Sequence, residues 1–269
     1  MVKQYGFSLI ELAVVMMILG LLLGGLLGPL SNRTQLQRLQ ETESDLALIK
    51  QALISYAIRH GRLPCPDTNA ETPIDLRDGL ENNPLPGLRC GQANGIVASP
   101  NLVEQRKVVT GFLPYKDLGI GQYDSYGNAY IYTVSLSYAD MPSSLDPTPF
   151  PELTSTSNPP PSGACELPRA DLAPRPSFSI CSKGGIRVLS AAGAPTPIYD
   201  DLPFMVLSRG ASGIAAISGL ADQQENTDGD RSFVQRYINT SPGNEFDDVL
   251  MWVPAPVLGL HLIQAGVLP

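Results

Sequence analysis

Basic charge is in short supply in this chain, where 18 lysines and arginines face 26 aspartates and glutamates. That balance leaves no positive field to hold a phosphate backbone, so nucleic acid is not expected among its partners. Histidine is scarcer still. The two residues, His60 and His261, stand beside no obvious nucleophile, which removes the usual routes of acid–base and nucleophilic catalysis. No G-x-x-x-x-G-K-[ST] phosphate loop is present, so any nucleotide-driven work falls to another protein. The "GASG" stretch at 210–213 lacks the spacing of a nucleophile elbow. None of the four cysteines forms a C-x-x-C pair, so a zinc site is not expected. The chain therefore reads as something other than an enzyme, with no cofactor required.

Long apolar runs are also absent, except for one. From Leu12 to Leu30 no residue carries a charge; at about 1.5 Å per helical residue, that run is close to the roughly 30 Å of a bilayer's hydrocarbon core. A single membrane span is expected. Lys3 precedes it, so the positive-inside tendency puts the N-terminus in the cytoplasm and everything after the span outside. All four cysteines, Cys65, Cys90, Cys165 and Cys181, fall on that exported side, where disulfides are permitted. Short loops favour Cys65 with Cys90 and Cys165 with Cys181, although sequence alone allows three connectivities.

The segment is not an ordinary secretory signal. Its apolar run is longer than the usual stretch of about 7–15 residues, and no small-residue cleavage site ends it. Instead a glycine comes first, in Gly6-Phe7-Ser8-Leu9-Ile10-Glu11. This hexapeptide resembles the prepilin signature of type IV pilins and type II secretion pseudopilins. The resemblance implies that a prepilin peptidase/methyltransferase cuts after Gly6, and that Phe7 becomes the N-methylated first residue. Glu11 then lies one helical turn from the new amine, roughly 6 Å along the axis. A carboxylate near the bilayer core costs about 2.5–3.5 kcal/mol unless a partner neutralises it. The family supplies that partner from a neighbouring subunit's N-terminal amine. The plainer alternative is a signal-anchor helix with Glu11 at its edge.

Gly20, Gly24 and Gly28 recur every four residues, a small-xxx-small pattern that lets helices approach closely in lipid. Gly25 and Pro29 weaken the same stretch outside lipid. Beyond Asn32 the pattern turns amphipathic, with Leu36, Leu39, Leu46, Ile49, Leu53 and Tyr56 at helical spacing among charged residues. Gly61 and Pro64 end the helix.

Strands are expected over Ala129–Ser135, in "PFMVLSRGASG" from Pro203, and over Asp247–Val253. Asp124-Ser125-Tyr126-Gly127-Asn128-Ala129-Tyr130 is similar to the D-x-[WY]-G-N-x-Y segment of pseudopilins. Ser208-x-Gly210-x-x-Gly213 resembles their S-x-G-x-[DN]-G turn, with Ser212 replacing the usual acidic or amide residue. Residues 140–200 are rich in proline, serine and threonine around "NPPPSGACELP" and read as an irregular insertion.

The expected fold is α+β and type IV pilin-like: one long helix on an antiparallel sheet of three or four strands, with the proline-rich insertion. Its parts are a leader at 1–6, a transmembrane or filament-core helix at 7–30, an amphipathic helix at 31–60 and an exported domain at 61–269. Partners implied by the resemblance are other pilin or pseudopilin subunits, the processing peptidase and an inner-membrane assembly platform. The implied location is the bacterial inner membrane and then a filament. The extra insertion leans toward a minor subunit. A type II secretion minor pseudopilin and a membrane-anchored periplasmic binding protein are the alternatives, with a tethered hydrolase using His60 or His261 behind them.

One loop offers metal chemistry. Glu225, Asn226, Asp228, Asp230, Asp247 and Asp248 supply hard oxygen donors of the kind calcium takes, and some pseudopilins hold calcium in the corresponding loop. Asp228, Asp230, Asp247 and Asp248 are the candidate ligands. The EF-hand pattern is not met, since Arg231 and Tyr237 stand where glycine and glutamate belong. A solvated acidic loop, with Asp247 and Asp248 capping a turn, is the plainer reading.

Overall fold

The computed structural model describes residues 9–68, 78–82, 90, 108–139, 178, 182–213 and 220–268, with the side chains of 22–33 left aside. The chain divides into two units, Met1–Glu41 and Thr42–Pro269. Helix α1 runs Leu9–His60. Its first unit is helical with its large apolar side chains exposed, from Leu9 (89% exposed) to Leu21. Among the described residues no helix is long and apolar enough to cross a membrane.

In the second unit the amphipathic spacing does what it predicts. Leu46, Ile49, Leu53, Tyr56 and Ala57 recur at steps of three and four and are all buried, forming one stripe along α1. The expected stripe extended back to Leu36, but Leu36 belongs to the first unit and is 60% exposed. Gly61 stops the helix: it adopts φ +69, and its N–H donates to the Ala57 carbonyl at 2.9 Å. A left-handed residue just past a helix favours glycine because no Cβ is there to clash.

That stripe packs on a four-stranded antiparallel sheet of β1 (Val108–Phe112), β2 (Ile131–Ser135), β5 (Phe204–Ser208) and β7 (Val249–Val253), in the order β1-β2-β5-β7. Successive strand side chains point to opposite faces. Tyr132, Val134, Phe204, Val206 and Val253 thus join the α1 side chains in one core. Ile131, Met205 and Leu207 join a second core on the far face. The cover of that second face was not foreseen. It is a smaller sheet of β4 (Tyr199–Leu202), β3 (Ile186–Leu189) and β6 (Ser232–Val234), in the order β4-β3-β6, which contributes Ile186, Val188, Leu202 and Phe233. Sandwiched between helix and second sheet, β2 and β5 are buried along their whole length.

The expected irregular insertion at 140–200 needs correction at its end. Residues 186–189 form a strand, and 199–200 begin another, because their apolar side chains cover the main sheet. Residues 140–177 lie outside the described residues. The short helices α2 (Tyr115–Leu118), α3 (Leu136–Ala139) and α4 (Ala221–Glu225) and a C-terminal helix, α5 (Ala255–Gln264), also went unpredicted; Leu258 and Leu262 enter the helix-side core.

Cys65 and Cys90 form a disulfide, with Cα atoms 5.4 Å apart. Cys165 and Cys181 lie outside the described residues. Beside the bridge, Arg62 donates to both Glu81 oxygens at 2.7 and 2.8 Å, Tyr56 Oη donates to Glu81 Oε1 at 2.5 Å, and the Cys65 N–H donates to Oε2 at 3.0 Å. Burial works against the Glu81 charge, but the Arg62 contacts outweigh it and hold the carboxyl below its ordinary range. This cluster ties the helix end to the connecting loop.

Candidate functional site

The N-terminal site sits on the exposed apolar half of α1. Leu9, Ile10, Leu12, Val14, Val15, Met16 and Met17 are exposed, and Glu11 stands among them as the acidic residue of the first turn. An exposed run of this kind is out of place in water, since each such side chain gains about 1.5–3 kcal/mol on leaving it. Gly20 has open space where a Cβ would stand, as close helix approach requires. Gly24, Gly28 and Pro29 fall within the bounds of α1; their surroundings, and Gly6 and Phe7 altogether, lie outside the described residues.

The two turn motifs, 84 residues apart, meet in space. Asp124, buried, accepts the N–H groups of Tyr126 (2.9 Å) and Asn128 (2.8 Å) on Oδ1, folding its own loop. Its Oδ2 accepts the Ser208 hydroxyl at 2.6 Å, at the end of β5. Asn128 Nδ2 returns a hydrogen bond to the Gly210 carbonyl at 2.6 Å. Gly210 has φ +56, and a side chain there would run into the Asp247 carbonyl, so both backbone and space demand glycine. Ser125 Oγ lies 2.8 Å from Thr42 Oγ1, and Tyr130 packs into the helix-side core. Sequence similarity singled out each motif; only the fold shows that they form one joint.

The acidic residues of the loop separate into two groups. Glu225, Asp228 and Asp230 bring carboxylate oxygens within 4.8 Å of one another. Glu225 is pushed above its ordinary range by burial and by the Asp230, Asp228 and Asp222 charges. Asp230 is pushed up by burial and by Asp228, although the Ser232 N–H opposes this. Asp247 and Asp248 stand elsewhere, in the joint. Asp247 Oδ2 accepts the Ser212 N–H at 2.6 Å, and Oδ1 accepts the Ser212 hydroxyl at 2.6 Å and the Gln223 amide at 2.7 Å. Asp248 Oδ2 accepts the Asn226 amide at 2.8 Å, and burial, reinforced by the Asp247 charge, raises its pKa to about 6. Gln223, a buried residue of the short helix α4 (Ala221–Glu225), carried no signal in the sequence.

The histidines are apart. His60 stacks on Tyr56 with ring centroids 4.1 Å apart, and His261 lies on α5. Burial, with the Arg62 and Arg59 charges, lowers the His60 pKa.

Residues 1–27 match the family described as the prokaryotic N-terminal methylation motif. This is a type IV pilin-like N-terminus. The match embraces Gly6, Phe7 and Glu11 together with the start of the apolar run, and it supports type IV pilin or pseudopilin character for the chain. No curated protein and no solved structure matches the chain.

Proposed function

We propose that the chain is a structural or assembly subunit of a type IV pilus-like filament. It is made as a single-span precursor in the bacterial inner membrane, its N-terminus cytoplasmic and its large domain periplasmic. The prepilin peptidase cleaves after Gly6 and methylates Phe7, and the assembly platform then inserts the subunit through its N-terminal helix. The observation that carries this reading is the exposed apolar start of α1 with Glu11 inside it, in a segment that matches the methylation motif. Lipid and neighbouring helices are the two surroundings that relieve such a surface. In the filament Glu11 pairs with the N-terminal amine of an adjacent subunit. That pair offsets the cost of burying its charge and fixes how far each subunit rises along the axis.

A second reading, a type II secretion minor pseudopilin, is favoured by the joined turns at Asp124–Tyr130 and Ser208–Gly213, because both resemble that branch. The two readings share the processing and the helix and differ in the machine served. The deciding experiment for either is Glu11→Ala in cells that assemble the filament. Expected is normal abundance and trypsin resistance of the large domain, with the chain lost from sheared or cross-linked filaments. Wild-type incorporation of the variant points instead to an anchored periplasmic binding protein outside any filament.

A further inference from the structure

The resemblance to pseudopilins implies calcium in the loop before the last strand, and the donor set around Asp247 and Asp248, apart from the Glu225–Asp228–Asp230 cluster, does not suit the ion. Calcium is held by six to eight oxygens that turn lone pairs toward it. Around Asp247 and Asp248 the converging groups are hydrogen-bond donors. Asp247 already receives three, from the Ser212 N–H, the Ser212 hydroxyl and Gln223 Nε2, at 2.6, 2.6 and 2.7 Å. Ser212 is the position at which the chain departs from the acidic or amide residue of the resembling turn. Asp248 receives Asn226 Nδ2 at 2.8 Å, and the Arg209 charge also acts on it.

Asn226 is locked in that orientation. Its Oδ1 accepts the Val234 N–H at 2.6 Å, and its Nδ2 also reaches the Val234 carbonyl at 3.1 Å. The amide thus reads a backbone donor and a backbone acceptor at once, and turning it over would lose both. We propose that Gln223 and Asn226 hold Asp247 and Asp248 in place of a divalent cation, so that these two carboxylates are fixed without calcium. One carboxylate is joined to α4 by the first amide, and the other to β6 by the second.

The rival arrangement is specific. Gln223 is 2% exposed, and among the described residues its Oε1 has no partner. Turning that amide over would set Oε1 beside Asp247 Oδ1, and two oxygens so close need a cation between them. The two orientations therefore predict opposite responses to calcium.

Thermal unfolding of the full chain in detergent, in calcium chloride and in EDTA, separates them. A chain carrying Asp228→Asn and Asp230→Asn, which lacks the separate acidic cluster, is expected to melt at the same temperature in both. Gln223→Ala removes one donor to Asp247 and is expected to lower Tm by roughly 2–8 °C in both media, with no rescue by calcium. Gln223→Glu sets a carboxylate against Asp247, and its Tm is expected to fall in EDTA and recover in calcium. A Tm of the Asp228→Asn, Asp230→Asn chain that drops in EDTA overturns the proposal, as does a Gln223→Ala chain as stable as wild type; both readouts stand even if Gln223→Glu does not accumulate. The measurement involves no filament, so its failure leaves the assembly reading untouched, and failure of that reading leaves this one untouched.

Discussion

Removing the Asp124 carboxylate should open the joint between the two turns. Three hydrogen bonds end on it: two from backbone N–H groups of its own loop and one from the Ser208 hydroxyl at 2.6 Å. Ser208 is fully buried, so in Asp124→Ala its hydroxyl loses this partner without access to water, at about 1–3 kcal/mol. Tyr126 and Asn128 are half-buried, and water replaces part of what their N–H groups lose, which adds about 1–2 kcal/mol. The total is about 2–5 kcal/mol, or a Tm drop of roughly 4–20 °C for a domain of this size. Asp124→Asn keeps Oδ1 for both N–H groups, and its amide can donate to the Ser208 oxygen. It loses the charge assistance and the acceptor for the Ser208 hydroxyl proton, about 1–2 kcal/mol, and keeps both loop hydrogen bonds that the alanine variant gives up. Thermal and urea unfolding of the full chain in detergent measure both variants. An alanine variant within about 1 kcal/mol of wild type, or an asparagine variant as damaged as alanine, would refute the reasoning.

Cys65→Ser with Cys90→Ser opens a loop with a sequence separation of 25. The loss expected from chain entropy is about 3.5 kcal/mol, seen as a urea midpoint below that of the oxidised wild-type chain. Glu81→Ala strands Arg62 in a buried site and is expected to cost about 3–5 kcal/mol at neutral pH. Because the folded-state pKa of Glu81 is depressed, its contribution is complete above the ordinary 4.5 and is lost as pH falls through the lower folded value. The gap between wild type and Glu81→Gln should therefore narrow below that pH, and a gap that stays constant in acid would contradict the ion pair.

How much of this was legible beforehand depends on what writes a pattern into sequence. The stop at Gly61 and the strands at 131, 204 and 249 carry local signals, a glycine past a periodic run or a β-branched run bounded by turns. The second sheet carries none, since β3, β4 and β6 are three or four residues long, too short to show a period. Its presence was nevertheless implicit in Phe204–Leu207, four apolar residues in a row, because a strand apolar on both faces needs cover on both. Strand β1 was hidden by Gly111 next to its end and Pro114 two residues beyond it. For the acidic loop, composition pointed to carboxylates that converge. Which ones meet is decided by non-local partners, Ser212, Gln223 and Asn226, that no spacing reveals. The Tyr56–Arg62–Glu81 cluster is silent for the same reason.

The central claim rests on what happens at Gly6 and Phe7. Its most direct test is the intact mass and N-terminal sequence of the protein recovered from membranes, with and without the cognate prepilin peptidase. With the peptidase, the mature chain is expected to begin at Phe7 carrying one added methyl group; without it, the leader through Gly6 is expected to remain. A chain that still begins at Met1 or Val2 while the peptidase is active would contradict the filament account and leave Glu11 as an edge charge on a membrane anchor.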